Sequence, residues 1–196
     1  MKWMRSYIMI GLLCLNITGC KVEEEMPVAA TVNGEPIYEY QIEQVVNQLP
    51  EGEIDRDEVL EESIRQLVVI QTGREYGINM TDEEMDKLLL EYKGAYLDIY
   101  QQGIEIYGEE GLVNGLKYKT LYEKTKQYML DHIIIPEIDM TDEELEQYLL
   151  DQEVGDIEIN DETREIIEQS YMNNIAEENY NQEVEKLIDQ AEITIH

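Results

Sequence analysis

Apolar residues recur at spacings of three and four along most of the chain, the period of a helix covered on one side. Over 57–76, Leu60, Ile64, Leu67 and Val68 form one stripe, and Val59, Val69 and Ile70 widen it. That width predicts a helix buried on more than one side. Over 82–102 the apolar positions are Met85, Leu88, Leu89, Tyr92, Tyr96 and Ile99, with Gly103 and Gly108 bracketing a break. A further helix is expected over 109–132, carrying Leu112, Val113, Leu116, Leu121, Tyr122, Met129 and Leu130. The final helix, over 161–190, presents Ile166, Ile167, Tyr171, Ile175, Tyr180, Val184, Leu187 and Ile188, and at 1.5 Å per residue would be about 45 Å long. Shorter helices are expected over 39–48 and from Thr141 to about Gln152.

Strand-like segments appear at the two ends. Val28 to Val32 is a short apolar run followed by Asn33-Gly34, a pair suited to a tight turn with positive φ. Residues 191–196 alternate apolar and polar at period two. Neither segment would be stable alone, because a lone strand leaves its backbone donors and acceptors unpaired. The economical solution is one small sheet that holds both. The expected fold is therefore mainly α: a multi-helix domain whose small sheet joins the N- and C-terminal strands.

Local start signals agree with these boundaries. Thr81-Asp82-Glu83-Glu84 and Thr141-Asp142-Glu143-Glu144 are both capping boxes, in which the threonine accepts from the third amide and the glutamate reaches back. Pro27, Pro36, Pro50 and Pro136 all fall near proposed boundaries.

Charge narrows the possible partners. The 196 residues hold 14 Lys and Arg against 45 Asp and Glu, a net charge of -31. Phosphate binding needs clustered cations, so no nucleic acid partner is expected. Charge-driven adhesion to an anionic bilayer is disfavoured for the same reason. Hydrophobic residues make up 43%, enough for a core. With 14 Tyr and no Phe, tyrosine must carry the aromatic packing.

The first twenty residues read as an address. Lys2 and Arg5 precede an apolar run over 7–17, too short to span a bilayer. Ile17-Thr18-Gly19-Cys20 then resembles a bacterial lipobox, which makes Cys20 the lipidated residue and 1–19 a signal peptide. The expected localisation is the extracytoplasmic face of a bacterial cell membrane, held by lipid alone. Since Cys14 leaves with the signal, the mature chain has no thiol for a disulfide. Residues 20–27 read as a tether.

Candidate chemistry is sparse. Tyr92, Tyr96 and Tyr100 stand four apart, as do Tyr118 and Tyr122. Such rows pack helices, and they can also hold varied unfolded segments through apolar area and a hydroxyl. Met85 and Met129 would add adaptable surface. His132 reads as a helix-end residue favourable to the dipole. Asp151 to Glu162 is similar to a calcium loop with its glycine misplaced, so no metal site is expected. Lys117, Lys119, Lys124 and Lys126 read as compensation of acidic neighbours. No cofactor is implied.

Several segments in order resemble the N-terminal chaperone domain of the SurA, PrsA and trigger-factor-like foldases. Val28 to Ile37 looks like the opening strand and turn. Val59 to Glu84, including Ile64-Arg65-Gln66-Leu67-Val68 and Glu75-Tyr76-Gly77-Ile78-Asn79-Met80, looks like the long helix and the capped start after it. Tyr180 to Ile195 resembles the returning helix and closing strand. The resemblance implies a chaperone-like region over 28–152, completed by 161–196. The family commonly places a parvulin prolyl-isomerase domain where this chain has only a loop, 153–160. Parvulin pockets use buried His with Cys or Asp, whereas this chain has two His and no mature Cys. It is therefore expected not to be an enzyme. The implied function is that of a membrane-anchored holdase for unfolded or partly folded exported proteins. The alternative is an adaptor lipoprotein that docks on one folded envelope partner.

Overall fold

The computed structural model describes residues 26–47, 55–132, 140–152 and 160–196. The expected signal peptide, Cys20 and most of the expected tether lie outside them, as does nearly all of the loop expected to replace a parvulin domain. Contacts divide the chain into two compact units. One runs to Lys126 and includes Lys186–His196; the other is Gln127–Glu185.

The first unit is built on a three-stranded antiparallel sheet, with β1 (Val28–Val32) between β2 (Glu35–Tyr38) and β3 (Ile193–Ile195). The two ends of the chain pair as expected: Ala30 lies opposite Ile195, Thr31 opposite Thr194 and Val32 opposite Ile193. The third strand, β2, was not expected. It forms because Asn33 (φ 49°) and Gly34 (φ 81°) make a turn tight enough to return the chain onto β1, pairing Val32 with Glu35.

Helix α1 (Glu39–Val46) leads toward α2 (Arg56–Glu75), and Glu39 joins the two starts by accepting from Arg56 Nε at 3.3 Å. Asp55 and Glu58 form a capping box at the start of α2. The wide apolar stripe of α2 is used in full. Val59, Leu60, Ile64, Leu67, Val68 and Ile70 pack with Ala29, Ala30, Val32 and Ile37 of the sheet and Ile42 and Val45 of α1. Each such aliphatic side chain contributes about 1.5–3 kcal/mol when fully buried. Tyr118 and Leu121 close this core, with Leu187, Ile188 and Ile193 against its edge.

Helices α3 (Asp82–Ala95) and α4 (Leu97–His132) depart from the expected boundaries. The break falls at Tyr96 (φ -139°, ψ 49°), not after Gln102. A second interruption sits inside α4 at Gly108 (φ 71°, ψ 167°), a backbone conformation open only to glycine. There the chain folds back, because a Cβ on Gly103 would stand 3.0 Å from Leu112 Cδ1. In an unbroken helix those residues would be about 13 Å apart along the axis. Farther along, α4 passes close to α2: a Cβ on Gly73 would run into the side chain of Thr125, which is itself buried.

The second unit contains the end of α4, α5 (Asp142–Asp151) and most of α6 (Asp161–Gln190). Met140, Leu145 and Ile167 form its small core, flanked by Tyr148, Leu149 and Tyr171. Arg164 ties α6 to the start of α5. It donates to the Met140 carbonyl at 2.7 Å and pairs with Asp142 and with Glu168. Tyr148 is anchored by Asn174 Nδ2, which donates to its hydroxyl at 2.6 Å.

Candidate functional site

The residues singled out for client contact divide by burial. Tyr118 is only 5% exposed, and Met85, Tyr100 and Met129 are also buried. Tyr122 is partly buried against the main core. Tyr92 is half-buried, and only Tyr96, at 54%, stands out to solvent. In this conformation most of the expected cradle is packing. The reason lies in helix geometry: a four-residue spacing marks one face, and a neighbouring element covers that face.

The break at Tyr96 gathers three of the tyrosines. The Tyr92 ring lies 5.6 Å from Tyr96 and 6.5 Å from Tyr100. Residues eight apart on a straight helix would be about 12 Å apart. Lys93 Nζ sits 4.7 Å from the centre of the Tyr100 ring. Contact with Tyr100 raises the Lys93 pKa and keeps that cation charged beside the cluster.

The same break turns other side chains outward. Between Leu90 and Ile106, the side chains of Leu90, Tyr96, Leu97, Ile99 and Ile106 are all at least half exposed, Leu90 at 73%. Ile99 was expected on the inner stripe with Met85. It is outside because the helical phase restarts at Leu97. Periodicity across an assumed continuous helix could not predict these exposures.

Tyr118 carries the most unusual aromatic environment. Its hydroxyl finds no hydrogen-bond partner among the described residues. Burial pushes its pKa well up, with the Glu35 carboxylate acting in the same direction and the Arg74 cation opposing it. Glu35 and Arg74 form an ion pair at 2.6 Å, and Gln71 Nε2 also donates to Glu35 at 3.3 Å. These three side chains, with Asn33, Leu187 and Gln190, line an open cavity of about 530 Å³ beside the turn between β1 and β2. Its walls come from segments more than one hundred residues apart, and no local motif announces it.

The remaining candidates are placed simply. His132 stacks on Tyr128 with ring centres 3.9 Å apart, and its Nδ1 lies 2.7 Å from the Tyr128 carbonyl. Lys124 pairs with Glu84 at 2.6 Å and Lys119 with Glu123 at 3.7 Å. Among the described residues no group of three or more His, Cys, Asp or Glu could hold a metal ion. The calcium-like loop lies mostly outside those residues. No described helix is long and apolar enough to cross a membrane.

No protein-family model and no curated protein matches the chain. Among solved structures it is similar to a chain described with PEB4 and Cj1289, two structurally related SurA-like chaperones of Campylobacter jejuni. Identity is 20% and the TM-score 0.43, over 65% of this chain and 50% of that one. The chain thus spans half the length of the structure it matches.

Proposed function

We propose that the protein is a chaperone-type holdase, anchored through lipid on Cys20 at the extracytoplasmic face of the membrane. It binds unfolded or partly folded exported chains without prolyl-isomerase catalysis. The observation that carries this reading is the exposure of five large apolar side chains, Leu90, Tyr96, Leu97, Ile99 and Ile106, within a short stretch around the break at Tyr96. Large apolar side chains left in water lose the free energy that burial would supply, and an unfolded client can cover them. Aliphatic side chains suit clients of varied sequence, because dispersion and area burial are non-directional. The net charge of -31 keeps such a surface soluble and favours basic segments. The order of segments shared with the foldase chaperone domains supports the same reading.

The test is aggregation of an unfolded substrate in the presence of a several-fold excess of the purified mature protein. Suppression is expected. The triple substitution Leu90→Ser, Leu97→Ser and Ile106→Ser should weaken it while leaving the melting temperature unchanged, since all three side chains are exposed. Absence of suppression by the unmodified protein removes the reading.

A further inference from the structure

Strand β3 closes one side of the sheet and, among the described residues, its one neighbouring strand is β1. Beside that pair, Asn33 N–H donates to the Glu192 carbonyl at 2.8 Å and His196 N–H to the Ala29 carbonyl at 3.0 Å. Antiparallel backbone groups alternate between facing the partner and facing away. Glu192, Thr194 and His196 therefore turn toward β1, and Ile193 and Ile195 direct both their N–H and C=O groups away from the sheet. The side chains add a second feature. Ile193 and Ile195 lie across from Val32 and Ala30, which are fully buried, so both are on the core face. Ile193 packs against the core, whereas Ile195 is 65% exposed. Among the described residues, the core face thus runs on past Ile195 along an edge whose outward backbone groups pair with no other strand.

Sheet edges are commonly blunted by lysine, proline or a bulge. The opposite edge follows that rule. Pro36, across from Thr31 in β2, occupies a position whose backbone faces outward and has no N–H to offer. The sequence Ile-Thr-Ile of β3 has no such guard.

We propose that this edge accepts an extended segment of an unfolded client as an additional β-strand. Ile193 and Ile195 supply the backbone pairing, and the Ile195 side chain receives an aliphatic residue of the client. The inference rests on the holdase reading and adds a docking mode to it. Charge selects the occupant. A second copy carries the same -31 and is repelled, while a client segment flanked by lysine or arginine is attracted, with exposed Glu192 beside the strand. Backbone pairing asks for no particular client sequence, which suits a protein that must hold many.

The probe is a fluorescein-labelled peptide, Lys-Val-Thr-Val-Thr-Val-Lys with blocked ends, titrated with the mature protein and followed by anisotropy. The same peptide N-methylated at every inner residue keeps its charge and side chains but cannot pair. We expect it to bind about tenfold more weakly, the loss that follows from one or two hydrogen bonds. Ile195→Pro removes an outward N–H and leaves the bonds to β1, which use Thr194 and His196. It should weaken the unmodified peptide without lowering the melting temperature. Hydrogen exchange at the Ile193 and Ile195 amides should slow when the peptide is added. Equal binding of both peptides, with no protection of those amides, overturns the edge mode and leaves the holdase reading standing. Protection that grows with protein concentration in the absence of peptide also overturns it, by assigning the edge to a second copy. Loss of aggregation suppression would instead fall on the holdase reading.

Discussion

Tyr118 shows how one side chain can look functional and prove structural. Its four-residue spacing from Tyr122 suits a binding face, yet the ring sits in the core with a hydroxyl that has no partner among the described residues. Removing a buried, unpaired polar atom costs little and can stabilise. Tyr118→Phe is therefore expected to keep or raise the melting temperature and to leave aggregation suppression unchanged. A drop in aggregation suppression at an unchanged melting temperature would point to client contact by this residue, and a drop in melting temperature would mean that the hydroxyl has a stabilising partner. Glu84 is the opposite case, an exposed residue with a definite electrostatic role. The hydrogen bond from Lys124, and next the Thr81 amide, hold its carboxyl at about 2 against an ordinary 4.5. A depressed carboxyl pKa contributes stability fully above about 4.5, and that contribution fades as pH falls through about 2. Glu84→Gln should accordingly lower the melting temperature at neutral pH, with the difference from wild type closing at the acid end. Thermal melts across that range check it, and a pH-independent difference would refute the assignment. Glu144 occupies the equivalent place in the second capping box. The Thr141 amide, first, lowers its pKa.

At the level of elements, two interruptions shape the region after α2. The one at Tyr96 brings Tyr100 back to Tyr92 and exposes Leu97 and Ile99. The other, at Gly108, uses a backbone conformation closed to residues with a Cβ, and the reversal lets Leu112 pack on Gly103. Gly108→Ala should destabilise the protein by about 1–3 kcal/mol, the usual cost of such backbone strain. Denaturant unfolding measures this, and an unchanged midpoint would mean that the turn is not required. The capping boxes were readable from four residues each, because every partner is within reach of its neighbours in the chain. The interruptions were not. Glycine permits a break at several places here, and which one is used depends on what the following helix packs against.

For the molecule as a whole, charge is the dominant feature. With 45 acidic against 14 basic residues, repulsion acts on the folded state throughout, and local pairs such as Arg74–Glu35 and Lys124–Glu84 offset only part of it. Exposed pairs of this kind contribute little each. Salt should therefore stabilise. Raising ionic strength from about 0.01 M to about 0.15 M shortens the screening length from about 30 Å to about 8 Å, and the melting temperature should rise. A fall would show that short-range pairs outweigh the long-range field. The same charge disfavours self-association, and under the proposed function it would favour clients with basic segments.

Much of the architecture was legible in advance for a common reason. Helical period, capping boxes, the Asn-Gly turn and the need of two terminal strands for each other are all consequences of short-range chemistry or of unpaired backbone. That is why the mainly helical fold and the meeting of Val28–Val32 with the tail could be expected from residues alone. The choice between core and surface could not. Tyr118 and Ile99 sit at equally apolar helical positions, and only the packing of the later part of α4 onto α2 and the sheet decides that one is enclosed and the other left in water. The cavity at Glu35, Gln71 and Arg74 and the open edge of β3 likewise exist only when distant segments are brought together, because burial is a property of neighbours in space.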